Sequence, residues 1–217
     1  MKGSNTQLIE PVQVCYADLQ VNTEVFSYEY EKMILLKEIS ELRNFFGLHV
    51  YAFNVLDDYL QLLLSGDHFS PKKIRHFLNA LLERWRMRLA MNGEEDALTD
   101  DCVRSARAVR IPQEDAVEVL RFIHLTPVTM GYVHEPGDWW WSSYQSYRER
   151  HEWEMLDLEA FADVLKRRTG RNIQLFSEVH RRGAACGNPQ PSCLRGVPFK
   201  PLTRTYGLGP AGEPPAS

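Results

Sequence analysis

The order of hydrophobic periodicities along the chain predicts an α+β fold, in which an antiparallel sheet carries helices on one face. Two observations point there. Period-two and period-3.6 apolar runs follow one another as strand, helix, strand, strand, helix, strand. The two middle strand runs are joined only by Asp57 and Asp58, a hairpin-sized connection. A third observation narrows the class: no apolar run approaches the ~20 residues that a membrane-spanning helix needs.

Each element has its own signal. The stretch from Pro11 to Leu19 (PVQVCYADL) reads as the first strand. Ser27 is placed to cap a helix through YEYEKMILLKEISELRNFF, and Gly47 stops it. Met33, Leu36, Ile39, Leu42, Phe45 and Phe46 recur at the spacing of a single helical face. LHVYAFNVL and YLQLLL form the hairpin strands. Ser70 followed by Pro71 is a strong helix start, and the helix through FLNALLERWRMRLAM ends near Gly93. VRSARAVRI is strand-like, with Arg104 and Arg110 on one side and Arg107 on the other. Pro112 opens a helix through QEDAVEVLRFIHL, which Pro127 is expected to end. Asp157 is the expected cap of LEAFADVLKRRTG, and a last short helix is expected over 173–180. This β-α-β-β-α-β order is the ferredoxin-like split β-α-β pattern, with further helices at the C-terminal end. The organisation expected is an α+β domain over 1–150, a helical extension over 151–183 and a Gly/Pro-rich, disordered tail over 184–217.

Composition bounds the function loosely. The chain has 217 residues, enough to bury a core without disulfide or metal staples. Its formal net charge is -4, so nucleic-acid binding would require basic residues gathered on one face. Cys15, Cys102, Cys186 and Cys193 show no CxxC pairing, and the N-terminal MKGSNTQLIEPVQ is polar. Reduced thiols and a cytoplasmic location are expected.

The segment LRFIHLTPVTMGYVHEPGDWWWSSYQSY, Leu120 to Tyr147, resembles a signature of the REP-associated tyrosine transposases, members of the HUH (His-hydrophobe-His) single-strand nucleases. That family's pattern reads roughly R-Y-I-x-L-N-P-V-x-A-G-L-V, then P-x-D-Y-x-W-S-S-Y-x-x-Y. The matches are Arg121, Ile123, Leu125, Pro127, Val128, Gly131, Val133, Pro136, Asp138, Trp141, Ser142, Ser143, Tyr144 and Tyr147. A weaker likeness reaches back to Val14 and includes YAFNVLDDYLQLLL. The resemblance implies a single-stranded or hairpin DNA partner. For an active member it also implies a divalent metal, Mg²⁺ or Mn²⁺, and in part of the superfamily a homodimer.

The departures from the family pattern concern its chemistry. The family holds its metal on the two HUH histidines, and the metal polarises the scissile phosphate. Those positions here are Tyr59 and Gln61. The family nucleophile is the tyrosine of R-Y-I, which forms a phosphotyrosine link. That position is Phe122, and Thr126 replaces the family asparagine. If active-site chemistry survives, the residues available for a rebuilt metal site are Asp57 and Gln61, with His49 across the hairpin. The alternative is that Tyr59 and Gln61 line a polar, solvated relic of the cleft. Tyr132, Tyr144 and Tyr147 are the nearby hydroxyls, and His124 is expected to be satisfied or at the surface.

For DNA contact, the candidates are Arg104, Arg107, Trp140 and the basic run Lys166, Arg167, Arg168 and Arg171. Trp141 is expected in the core, leaving Trp140 as the base-stacking candidate. Three functions stand at this point. One is a non-cleaving DNA binder, one an active nuclease with a remodelled site, and one a protein-interaction module without DNA affinity.

Overall fold

The computed structural model describes residues 12–21, 25–66, 70–93, 103–149, 153–169 and 190–195, with the side chains of 165–169 left aside. A four-stranded antiparallel sheet has the order β2-β3-β1-β4, built from β1 (Val14–Val21), β2 (Leu48–Val55), β3 (Tyr59–Gly66) and β4 (Val103–Ile111). This is the strand order of the split β-α-β pattern. The crossover helices α1 (Glu29–Phe45) and α2 (Pro71–Met91) pack on one face against Cys15, Ala17, Leu19, Leu60, Leu62 and Leu64. The opposite face carries Val14, Tyr16, Leu63 and Ile111, and α3 (Ala116–Thr129) covers it together with α5 (Leu158–Thr169). Both faces are covered, so every residue of β1 is buried, the polar Asp18 and Gln20 among them.

The strongest local signals hold. Ser70 Oγ accepts the Lys73 amide at 3.1 Å, with Pro71 at the first helical position. Gly47, at φ 56°, turns the chain out of α1 in the left-handed conformation that glycine alone adopts at no steric cost. Arg84 and Arg88, one helical turn apart, both reach the buried Glu38 of α1, while Arg86 points elsewhere.

Other boundaries differ. The cap of α1 is Tyr28, not Ser27: Tyr28 is the last extended residue, and the Glu31 carboxylate accepts its amide at 2.8 Å. Pro127 lies inside α3 and does not end it. A proline removes one amide and leaves the next turn's donors intact, and Met130 still donates to the Thr126 carbonyl at 2.9 Å. The actual stop is Gly131, at φ 75°. The aromatic stretch runs into a short helix, α4 (Tyr144–Glu149). At α5 the Asp157 carbonyl accepts the Phe161 amide, but its carboxylate is drawn off to Arg43 and to the Val50 amide.

The helix expected over 173–180 lies outside the described residues, as does most of the tail. The described part of the tail is a 3-10 turn at Ser192–Leu194, with Leu194 fully buried beside α3 and α5.

The free edge of β2 is covered by the chain that follows α3. The Val55 amide donates to the Trp141 carbonyl at 2.9 Å, and the Ser143 amide donates to the Phe53 carbonyl at 3.0 Å. Further along, the Asp157 amide bonds the Val50 carbonyl. The tryptophan-rich signature therefore does structural work, closing a sheet edge that would otherwise present unpaired amides.

Candidate functional site

The strand register lays four polar residues in one row across the sheet. Asn54 of β2 lies opposite Gln61 of β3, Gln61 opposite Asp18 of β1, and Asp18 opposite Arg107 of β4. All four project toward the α3 face, because alternate residues of a strand point the same way. Tyr16 and Tyr59 flank the row.

Their side chains form one directed network. Asn54 Nδ2 donates to Gln61 Oε1 at 3.1 Å, and Gln61 Nε2 donates to the Tyr16 hydroxyl at 3.2 Å. The Tyr16 and Tyr59 hydroxyls are 2.9 Å apart, and Tyr59 donates to Asp18 Oδ2 at 2.8 Å. From the other side, Arg107 Nε and Nη2 clamp the two Asp18 oxygens at 2.8 Å each. The donors run in sequence toward the Asp18 carboxylate, where the negative charge sits. Asp18 and Gln61 are fully buried, and Tyr59 is 1% exposed.

Tyr59, Gln61 and Phe122, the residues singled out by the resemblance, lie close to one another. Phe122, buried on α3, has its ring centroid 6.3 Å from that of Tyr16, which joins both Tyr59 and Gln61. Tyr59 and Gln61 are nevertheless not the solvated relic that was one expectation; they are interior and hydrogen-bonded. Asp57 does not share their side. It stands in the hairpin turn, before the alternation of β3 begins, and pairs with Lys32 of α1 at 2.9 Å. His49 lies at the exposed start of β2, beside Asp157. Asp57, Gln61 and His49 therefore do not come together.

The donor set does not fit a divalent metal. Both Asp18 oxygens are engaged by Arg107 and Tyr59, and Gln61 Oε1 is engaged by Asn54. Among the described residues no three His, Cys, Asp or Glu side chains gather as ligands. The guanidinium of Arg107 is the cation of this site.

Three buried hydroxyls, those of Tyr16, Tyr59 and Tyr147, are held in the protonated form. Burial pushes Tyr16 well above the ordinary tyrosine value, with the Asp18 charge adding to it. Tyr59 is raised by burial and then by Tyr16 and Asp18. Tyr147, whose hydroxyl donates to the Tyr51 carbonyl at 2.6 Å, is raised by burial. One consequence is measurable. The unfolded chain ionises its tyrosines near pH 10 while the folded chain holds these three protonated, so stability falls as pH rises above about 10. Each contributes a slope of up to ~1.4 kcal/mol per pH unit. Urea midpoints between pH 8 and pH 11 test this, and Tyr16→Phe should flatten the alkaline limb; an unchanged limb would contradict the assignment.

The remaining candidates are scattered. Arg104 and Arg110 are exposed on β4; Arg110 is on the side opposite Arg107, and Arg104 sits at a register shift in the pairing with β1. Trp141 is core, and Trp139 donates its indole N–H to the Val55 carbonyl at 3.2 Å. Trp140 is 51% exposed. His124 is buried, with Nε2 2.7 Å from Ser143 Oγ. Lys166, Arg167 and Arg168 lie on α5, but their side chains, like all of Arg171, are outside the described residues. Asp18, Tyr16 and Asn54 were missed in the sequence. The available signal was a carboxylate in the middle of a mostly apolar strand, VCYADLQV.

The fold has a counterpart among solved structures. A REP-associated tyrosine transposase bound to a REP hairpin is similar, with a TM-score of 0.51. The likeness covers 70% of this chain and 88% of that chain at 14% sequence identity. At that identity the two share a fold. No model of a protein family and no curated protein matches the sequence.

Proposed function

We propose that the chain is a DNA-binding protein on a transposase-like scaffold, which holds single-stranded or hairpin DNA without cutting it. The observation that carries this reading is the Arg107–Asp18–Tyr59–Tyr16–Gln61–Asn54 network. It fills the place where the resemblance puts the metal, with Phe122 beside it where the nucleophile would stand. A phenyl ring has no lone pair for phosphorus, and the Asp18 carboxylate already has the Arg107 guanidinium as its counter-ion and accepts three hydrogen bonds.

The DNA part of the reading draws on the fold. The solved transposase of similar fold is bound to a hairpin, and the signature from Leu120 to Tyr147 persists in this chain. With a net charge of -4, binding falls to local basic groups, and the exposed Arg110 is among the described ones.

Incubation with a labelled DNA hairpin and Mg²⁺ or Mn²⁺ is the test. The expected result is a mobility shift that weakens linearly in log salt, by roughly 0.9 log units per decade for each phosphate contact on duplex. Neither a cleaved strand nor a covalent adduct should form. An adduct would mean that an unrecognised hydroxyl acts as nucleophile. Absence of any shift at low salt would leave a protein-interaction role.

A further inference from the structure

Beside the sheet edge closed by the tryptophan segment lies a groove of about 430 Å³, walled by α1 and by residues 153–155. It is distinct from the polar network, which lies on the α3 face. We infer that this groove binds one unpaired nucleotide of the DNA strand, its base stacked on Trp140; the inference rests on the DNA-binding reading above.

The groove has the chemistry of a nucleotide site. Trp140 leaves half its surface exposed, and Trp153 meets it edge-on at 6.2 Å and 61°, so the two indoles form a corner. Met33, also half exposed, and Met155 supply polarisable thioethers along the walls. Lys37 and Ser40, on the same side of α1, bring a cation and a hydroxyl to the groove. Glu154 adds one acceptor. A flat heterocycle fits the indole corner, its phosphate suits Lys37, and an exocyclic amino group suits Glu154. A volume of this size falls in the ~300–1,000 Å³ range of small-ligand clefts.

The wall is held in place before any ligand arrives. Trp153 packs edge-on against the buried Phe53 at 5.6 Å, and Arg43 Nη2 donates to the Glu154 carbonyl at 3.1 Å. Leu156 bridges to Val50 of the sheet. A platform that is already ordered loses little entropy when a base stacks on it.

Fluorescence anisotropy with two labelled hairpins tests the inference: one blunt, one carrying a short single-stranded purine extension. For the wild-type chain the extension should tighten binding about tenfold, the scale of one base stacked on an aromatic ring. Trp140→Ala and Lys37→Glu should each remove most of that gain while leaving blunt-hairpin affinity unchanged, which also shows that the variants are folded. Trp140→Phe should keep most of it. If the blunt hairpin binds and the extension adds nothing, or Trp140→Ala leaves the gain intact, the groove assignment is overturned and the DNA reading survives. If neither hairpin binds the wild type, both fall. Loss of self-association in Trp140→Ala, without change in DNA affinity, would make the groove a contact between copies and would likewise overturn the inference.

Discussion

Replacing Asp18 with alanine should lower the unfolding free energy by about 3 kcal/mol, near the bottom of the ~3–5 kcal/mol range for breaking a buried ion pair. Asp18 is fully buried and accepts from both Arg107 and Tyr59, so its removal strands a guanidinium and a hydroxyl at once. The lower end of the range applies because the Arg107 side chain keeps 21% of its surface in solvent and can recover some hydration. Asp18→Asn should be destabilising too, since an amide offers only one oxygen to partners that are all donors. Arg107→Ala should cost a similar amount from the other side, by leaving the carboxylate with Tyr59 as its one named donor. Replacing both by apolar residues of similar volume should recover much of the loss, because desolvation of the two charges is then removed along with their attraction. Urea denaturation of the two single variants and the double variant gives the coupling energy directly. A change below about 1 kcal/mol for Asp18→Ala would mean that the network does not carry the interior of this sheet face.

Trp85→Ala should cost ~3–5 kcal/mol, the range for truncating a fully buried large aromatic. Trp85 lies on α2 with no solvent exposure, meets Phe26 edge-to-face at 5.0 Å and donates its indole N–H to the Glu31 carbonyl at 3.1 Å. It thus fastens the first turn of α1 to α2. Trp85→Phe should lose less, since the ring is kept while the hydrogen bond and part of the volume go. Hydrogen exchange should show amides of the first two turns of α1 opening more readily in both variants than in the wild type. Equal protection in all three chains would place the anchor of α1 elsewhere.

The fold was legible because its signals are local. Ser70-Pro71, Gly47 and the Asp57-Asp58 turn each act within a few residues, and each stands where the sequence puts it. Pro127 was misread because the tendency of proline to break helices is an average, and here one missing amide is tolerated inside a well-packed helix. The site was legible only in part. Tyr59, Gln61 and Phe122 were singled out by a resemblance, and their side chains gather around Tyr16. Their partners were not found, because Asp18 meets Arg107 across 89 residues and only the strand register reveals the pair. Arg107 looked like a phosphate ligand for the same reason: a sequence shows a charge but not the opposite charge beside it.

The end strand of the sheet has a consequence for how copies of this chain behave toward one another. Within the described sheet β4 has a neighbour on one side only, β1. Such a strand invites a second copy to add itself on, the route by which sheets grow into aggregates. Two β4 strands pairing antiparallel about Arg107 would bring the exposed Arg110 of each toward the Arg104 end of the other. Like charges facing across a ladder oppose the pairing. The arginine spacing of VRSARAVRI thereby guards the molecule in crowded solution, with two exposed positive charges standing against polymerisation.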